Sequence, residues 1–453
     1  MNRVGAVLIG IILCMPLLAQ EQMERQRPPL VGEHQEQFVF YQAINLLADD
    51  STLSRVDIPY RIDHQFFVAI KNNDPALPFP FKRRGELLVE LLDENHISKA
   101  RDINRFVIGA EDPDTQPGKK AWYEGVASFT VPPGKYTIVF DLSDLESART
   151  FLEQNKKVAA KKFHTSALET STPMFVQPLA ADSLTLINFG GNILFGTDAS
   201  LFVQLASTRL TDDPVQVKYK IETQAFSFQE SRQTIVDTTV QSPFIEACRP
   251  TKTTFPTVYQ LTPFEGISHT GAILVPLHSS RFPLRPFTMT LTLKQGALES
   301  SVEWTFQMVW PEMPLSLRDI DFALEALRHI TTEAELDSLK RGTRETRLRH
   351  LEEFWRAKDK TPATAFNEMM VEYYRRVDYT MQAFSSMRGG DGYKSDRGRI
   401  YILYGPPTTT ERSLDPAAGY QEIWVYEKLG KKFVFVDQSK SGNYTLAATQ
   451  NLQ

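Results

Sequence analysis

The residue types best suited to bind a ligand or a partner are concentrated between positions 368 and 404. Ser395 and Asp396 carry side chains that accept hydrogen bonds from nearby backbone N–H groups. Arg397 or Arg399 is placed to pair with Asp396 or with Glu368. The candidate binding residues of this segment are Glu368, Arg375, Tyr393, Ser395, Asp396, Arg397 and Tyr404.

The segment from Gly392 to Gly398 has two interpretations. In the first it is a hydrogen-bonded corner that begins a strand, and its two glycines permit unusual φ angles. In the second it forms a polar groove that binds a peptide, a glycan or a partner protein. The corner requires only local backbone hydrogen bonds, so it is the simpler interpretation. We expect a strand from Arg399 to Tyr404 to follow it, with Gly405-Pro406-Pro407 as the turn that leaves this strand.

Several common catalytic patterns are missing from the sequence. None of the eight histidines belongs to a His-Glu-any-any-His pair, and neither a Gly-any-Ser-any-Gly elbow nor a phosphate-binding loop is present. We therefore expect no metal and no cofactor. Paired carboxylates of the glycosidase type remain an alternative, and their candidates are Glu368, Asp396 and Asp437.

Charge and composition limit the class of protein. The 453 residues carry a formal net charge of -5, and lysine and arginine are spread along the chain instead of forming a dense basic patch. Nucleic acid is therefore not an expected partner. With 42% apolar residues, the chain has material for several hydrophobic cores, and its length predicts two to four domains.

The N-terminal residues have the pattern of a secretory signal peptide. Arg3 precedes an apolar run from Val4 to Leu13, and Leu17-Leu18-Ala19 offers a small residue for cleavage. We assign residues 1–20 to this peptide and 21–36 to a flexible lead-in. The chain is then exported to the periplasm, the outer membrane or the medium, without a transmembrane segment after cleavage. Cys248 is the single cysteine left, so no internal disulfide forms.

Strand patterns with turn signals between them fill residues 37–310. Pro132-Pro133-Gly134-Lys135 separates the strand runs Trp122–Val131 and Tyr136–Leu142 and predicts a hairpin turn. From residue 301 to residue 310, apolar and polar residues alternate, which is typical of a strand with one buried face. We expect two antiparallel β-sandwich domains, at 37–165 and 166–310.

At Pro311 the apolar period changes to that of a helix. Helices are predicted at 317–330, from Thr332 onward, at 345–358 and at 365–386, and Thr332 with Glu335 predicts a capping box. The strands predicted after them are Arg399–Tyr404, Glu422–Glu427, Lys432–Asp437 and Tyr444–Ala448. Residues 311–453 are therefore expected to form an α+β domain.

The C-terminal region carries a set of motifs in a fixed order: Phe354-Trp355, Asn367-Glu368, Tyr373-Tyr374-Arg375-Arg376-Val377, Gly392 to Gly398, Tyr401 to Pro407 and Glu422 to Tyr426. In these motifs the region resembles the GWxTD domain of bacterial exported proteins, and the resemblance covers about residues 315–450. The family motif Gly-Trp-any-Thr-Asp appears here as Gly392-Tyr393-Lys394-Ser395-Asp396. An aromatic ring, a hydroxyl and the acid are retained, so a structural role is preserved. The resemblance implies fold and export, and no activity.

The expected function is that of a non-enzymatic envelope protein that binds an envelope protein partner through its C-terminal domain. The alternative is a hydrolase of cell-wall or extracellular polymer with a carboxylate site in the same domain. Convergence of Asp396, Glu368 and an arginine in one deep cleft would favour the hydrolase.

Overall fold

The computed structural model describes residues 37–113, 120–224, 232–253, 257–385, 391–415, 419–439 and 441–452. The predicted signal peptide and lead-in, residues 1–36, lie outside these residues. In the described part of the chain, no helix is both long enough and apolar enough to cross a membrane.

Two antiparallel sheets form the N-terminal region. Its strands are β1 Val39–Tyr41, β2 Ile44–Leu47, β3 Ser54–Asp63, β4 Ile70–Lys71, β5 Phe81–Leu92, β6 Ser98–Ala110, β7 Trp122–Val131, β8 Gly134–Asp144 and β9 Thr150–Ala160. Sheet A contains β1, β2, β3 and β7, and sheet B contains β4, β5, β6, β8 and β9. Val56 and Ile58 of sheet A share one core with Val89 and Phe140 of sheet B, as in a sandwich.

The turn at residues 132–133 does not close a hairpin, contrary to the prediction. The strand before it, β7, pairs with β3 in sheet A, whereas β8 after it pairs with β5 and β9 in sheet B. The turn therefore carries the chain from one sheet to the other. Pro132 and Pro133 suit this position because proline has no N–H with which to continue a ladder.

A second pair of sheets follows. Its strands are β10 Glu169–Thr170, β11 Met174–Ala180, β12 Ser183–Leu186, β13 Ile193–Leu194, β14 Ser200–Ala206, β15 Val215–Thr223, β16 Thr234–Ser242, β17 Arg249–Lys252, β18 Val258–Thr262, β19 Thr270–Pro276, β20 Pro286–Gln295 and β21 Leu298–Val309. Sheet C contains β10, β11, β12, β14, β17, β18 and β19, and sheet D contains the other five. Only the short β13 pairs in parallel, with β21, among these described strands.

Sheet C is covered on both faces. Leu201 and Val203 of β14 pack into the core shared with sheet D, and Phe202 packs with Ile44 and Leu46 of β2 on the other side. All seven residues of β14 are buried. A strand without a solvent face is apolar without alternation, and the sequence Ser-Leu-Phe-Val-Gln-Leu-Ala has this character.

A buried polar residue of β14, Gln204, holds sheets A and C together. The side-chain oxygen of Gln204 accepts a hydrogen bond from the Leu47 N–H at 3.0 Å, and its amide nitrogen donates to the Cys248 carbonyl at 2.8 Å. Gln204 is fully buried, so both partners would remain unsatisfied without it. The junction between the two sheet pairs is therefore specified by hydrogen bonds as well as by apolar packing.

Helices and a small sheet complete the chain. The helices are α1 Leu315–Arg318, α2 Ile320–Ala326, α3 Glu333–Leu339, α4 Arg344–Arg356, α5 Glu368–Ala383 and α6 Asp396–Tyr404. The strands β22 Thr409–Asp415, β23 Gly419–Tyr426, β24 Lys431–Asp437 and β25 Thr445–Asn451 form the antiparallel sheet E in that order. Trp355 and Tyr374 lie in the helical core, and the ring of Phe366 contacts Trp310 and Phe195 of the preceding region.

Helix boundaries confirm part of the prediction and correct the rest. The capping box of Thr332 and Glu335 begins α3, as predicted. The single helix expected over 317–330 is interrupted, because the side chain of Asp319 accepts from the N–H groups of Asp321 and Phe322 and starts α2 there. The strand β22 was not predicted, since Thr-Thr-Glu-Arg-Ser-Leu-Asp has no apolar face.

The predicted strand Arg399–Tyr404 is wrong, because these residues belong to the helix α6. Ile402 packs into the helical core, whereas Ile400 packs into the core beneath sheet E. A helix between two cores buries residues on two faces, which imitates the alternation of a strand. Gly405-Pro406-Pro407 therefore leaves a helix, and Gly405 caps it with φ 80°.

The junction between sheets A and C provides a stability test. Replacement Gln204→Leu keeps the volume but leaves a buried N–H and a buried carbonyl without partners, so we expect the free energy of unfolding to fall by about 2–6 kcal/mol. Urea unfolding measures this loss. The exposed Gln216→Leu in β15 is the control and should be nearly neutral. Equal stability of the two variants would contradict the role of Gln204.

Candidate functional site

The segment 392–398 is a corner between two helices. Gly392–Lys394 forms one turn of 3-10 helix, and Ser395 is the N-cap of α6. The Ser395 hydroxyl accepts from the Gly398 N–H at 3.0 Å and donates to the Gly392 carbonyl at 2.7 Å. The predicted hydrogen-bonded corner is therefore present, but it begins a helix instead of a strand.

The two glycines of the corner are required for space and not for unusual φ. Neither has a positive φ angle. A Cβ at Gly392 would collide with the carbonyl oxygen of Thr380, and a Cβ at Gly398 would collide with the carbonyl oxygen of Gly392. The end of α5, the 3-10 turn and the start of α6 thus pass one another with backbone against backbone.

Tyr393 fills the helical core beneath this corner. Its side chain is 3% exposed and meets Phe322 edge-on, with ring centroids 5.1 Å apart. His329 Nε2 donates to the Tyr393 carbonyl at 2.8 Å. Burial raises the pKa of the Tyr393 hydroxyl. The aromatic residue of the motif is therefore a packing residue in this chain.

Asp396 and Arg397 connect α6 to sheet E. Asp396 Oδ2 accepts from the Leu446 N–H at 2.8 Å, and its other oxygen lies 3.4 Å from Arg399. Arg397 donates to the Gly442 carbonyl, and its guanidinium lies 4.2 Å from the ring centroid of Tyr444. Two of the predicted binding residues thus hold the sheet against the helix.

A buried carboxylate, Glu422, lies at the centre of the polar contacts under sheet E. Its Oε1 accepts from the Trp424 indole N–H at 2.7 Å. Its Oε2 lies 3.4 Å from Arg397 and 3.2 Å from Arg412. Glu422 is 3% exposed, and a carboxylate shielded from water in this way requires partners of opposite charge and hydrogen-bond donors. The two arginines and the indole provide them. Burial lowers the pKa of Arg397, and Glu422 opposes that shift.

An open cleft lies above this polar centre, and we call it the aromatic cleft. Its volume is about 420 Å³, and its lining residues are Tyr379, Phe384, Tyr401, Pro407, Thr410, Arg412, Glu422 and Trp424. The rings of Tyr379 and Tyr401 stack with centroids 4.4 Å apart, and Tyr379 is 44% exposed. The sequence pattern does not predict this cleft, because its aromatic residues come from separate elements of the chain.

The remaining predicted site residues lie outside the aromatic cleft. Glu368 is the first residue of α5 and accepts from the Thr361 hydroxyl at 2.5 Å, which lowers the pKa of its carboxyl. Asp396 follows the other end of this 16-residue helix, which is about 24 Å long, so the two carboxylates do not converge. Arg375 pairs with Glu312, and Tyr404 stacks on Phe433.

Other reactive residue types are engaged in structure. Cys248 is fully buried, and burial raises the pKa of its thiol to about 12, so the thiolate is scarce at neutral pH. Among the described residues, no group of three or more His, Cys, Asp or Glu side chains is arranged to hold a metal ion.

Because the backbones approach so closely at the corner, one glycine-to-alanine substitution in a helix is expected to destabilise the protein instead of stabilising it. An Ala in place of a helical Gly normally stabilises a protein by about 0.5–1 kcal/mol. For Gly398→Ala we expect a loss of about 1–3 kcal/mol instead, because the new methyl group meets the Gly392 carbonyl. Thermal unfolding measures the change.

Gly134→Ala is the matched control, because a Cβ there meets its nearest atom, on Tyr136, at an ordinary 3.6 Å. This control should not lower the midpoint of unfolding. A higher midpoint for Gly398→Ala would show that the corner has more room than the structure gives it.

Comparison with known proteins identifies the C-terminal region. Residues 299–453 match the family model described as the GWxTD domain, and the match begins within β21. No curated protein sequence matches the chain.

Two solved structures have a weak likeness to the chain. Escherichia coli alpha-2-macroglobulin activated by porcine elastase is 11% identical, with a TM-score of 0.16, over 60% of this chain and 23% of that one. Beta-glucuronidase from Parabacteroides merdae is 10% identical, with a TM-score of 0.18, over 56% of this chain and 28% of that one. The matches span less than a third of either solved chain, and at these TM-scores they carry no argument.

Proposed function

The chain is a GWxTD domain-containing protein, and from this premise we propose that it is a non-enzymatic protein of the bacterial envelope that binds a partner protein through its C-terminal domain. The observation that carries the proposal is the aromatic cleft. The cleft is open, and it is lined by stacked, partly exposed rings with an arginine at its edge. Aromatic residues and arginine are the residue types that contribute most of the binding energy in protein interfaces.

The state of the carboxylates supports binding over hydrolysis. A general acid or base needs a carboxyl group that can reach the substrate. Asp396 holds the Leu446 N–H, Glu422 is enclosed by two arginines and an indole, and Asp437 accepts from the N–H groups of Ser441 and Gly442. Each of these carboxylates is therefore engaged in hydrogen bonds or ion pairs within the C-terminal domain.

The proposal predicts a contact at one position. A photoreactive phenylalanine analogue in place of Tyr379 should cross-link to one recurrent envelope protein in living cells, because this side chain is 44% exposed at the cleft. Gel mobility and mass spectrometry of the adducts provide the measurement.

The control carries the same analogue at Ile103 of β6, which is 52% exposed on sheet B. We expect fewer or different adducts from this position. Identical adduct patterns at both positions would indicate random collision and would count against the cleft as the binding site.

Export is the second part of the proposal and rests on residues 1–20. The intact mass of protein recovered outside the cytoplasm should correspond to loss of about 20 N-terminal residues. Ile11→Arg places a charge in the apolar run and should leave the chain in the cytoplasm at its full mass. Recovery of the uncleaved wild-type chain from the cytoplasm alone would reject export.

A further inference from the structure

The outer strand of sheet E has a free edge beside the aromatic cleft. Within the described residues, β22 pairs with β23 along its whole length, from Thr409↔Val425 to Asp415↔Gly419, and has no strand on its other side. Every residue from 409 to 414 is exposed. An edge strand presents alternate backbone N–H and carbonyl groups to solvent, and an extended peptide can pair with them.

This free edge borders the cleft directly. Thr410 and Arg412 of β22 lie opposite Trp424 and Glu422 of β23, and all four residues line the cleft. A strand added beside β22 would lie about 4.8 Å from it, with alternate side chains on the cleft face. Those side chains would lie near the stacked rings of Tyr379 and Tyr401.

The charge at this edge selects the kind of peptide. The side chain of Arg412 is 76% exposed, and its Nε donates to Glu422. Glu422 also pairs with Arg397, so one carboxylate is shared between two guanidinium groups, and the guanidinium of Arg412 is the one that is largely exposed. Glu411 lies opposite Ile423 on the other face of the strand. A carboxylate of a bound peptide would complement the exposed Nη atoms of Arg412.

We propose that β22 receives an extended segment of the partner protein as an additional antiparallel or parallel strand. This segment carries apolar side chains at alternate positions, which enter the aromatic cleft, and an Asp or Glu side chain that pairs with Arg412. The inference rests on the proposed partner-binding function and adds the mode of binding and the chemistry of the bound segment.

The probe is a phage-displayed library of random nonapeptides, selected on the chain without residues 1–20. Selected peptides should alternate apolar and other residues and contain Asp or Glu. Affinity of the leading synthetic peptide is measured by fluorescence polarisation. N-methylation of backbone nitrogens at one alternate set of positions should weaken binding at least tenfold, and N-methylation of the other set less than twofold, because only one set faces β22.

Arg412→Gln tests the charge. We expect at least tenfold weaker binding of the acidic peptide, whereas its Asp→Asn or Glu→Gln analogue should bind the variant and the wild type alike. The matched control is Arg105→Gln on β6, whose side chain is 77% exposed and also pairs with a glutamate, Glu86. This control should change affinity less than twofold, and thermal unfolding checks that both variants fold.

Three results would overturn strand addition: no enriched peptide, equal effects of both N-methylation sets, or unchanged affinity of Arg412→Gln for the acidic peptide. If position 379 still cross-links to the same partner in Arg412→Gln, the proposed partner-binding function stands and the strand-addition mode is rejected. If no peptide is enriched and no position-specific cross-link forms, both the function and the binding mode are rejected.

Discussion

The backbone at Gly392 and Gly398 passes so close to the carbonyl oxygens of Thr380 and Gly392 that no side chain fits at either position. This constraint fixes how the end of α5, the 3-10 turn and α6 meet. Ser395 then caps α6 from inside the corner. Because α6 lies between the helical core and the core beneath sheet E, its direction decides where the sheet packs.

The contacts that follow from the corner place the aromatic cleft. The two residues after the cap bind sheet E and the loop beside it: Asp396 accepts a hydrogen bond from the Leu446 N–H, and Arg397 donates to the Gly442 carbonyl. Arg397 also helps to neutralise Glu422, which in turn orients the Trp424 indole in the wall of the cleft. The polar residues of the motif therefore position the sheet that forms the aromatic cleft, and the groups that the cleft offers to a partner are the stacked rings of Tyr379 and Tyr401.

Much of the fold could be predicted from the sequence. The strand runs predicted at Trp122–Val131, Tyr136–Leu142 and 301–310 overlap β7, β8 and β21, and the predicted helices up to Ala383 have apolar residues at helical spacing, with the capping box at Thr332 where it is expected. Local patterns fail where two cores meet. Ile400 and Ile402 imitate a strand because each belongs to a different core.

The site was less predictable than the fold. The motif residues were recognised, but their spacing could not show that Tyr393 is buried or that Glu368 lies at the far end of α5. The cleft assembles rings that are up to 45 residues apart in sequence, from Tyr379 to Trp424. The edge strand β22 has Leu414 as its single apolar residue, so its pairing with β23 is what reveals it as a strand.

Hydrogen–deuterium exchange of the full mature chain, with and without the selected acidic peptide, tests most directly whether the corner positions a partner-binding site at sheet E. Binding should slow exchange of the backbone amides of β22, and those of β6 on sheet B should exchange as before, because only the former gain hydrogen-bond partners. Slower exchange in the sandwich strands, with β22 unchanged, would contradict the account.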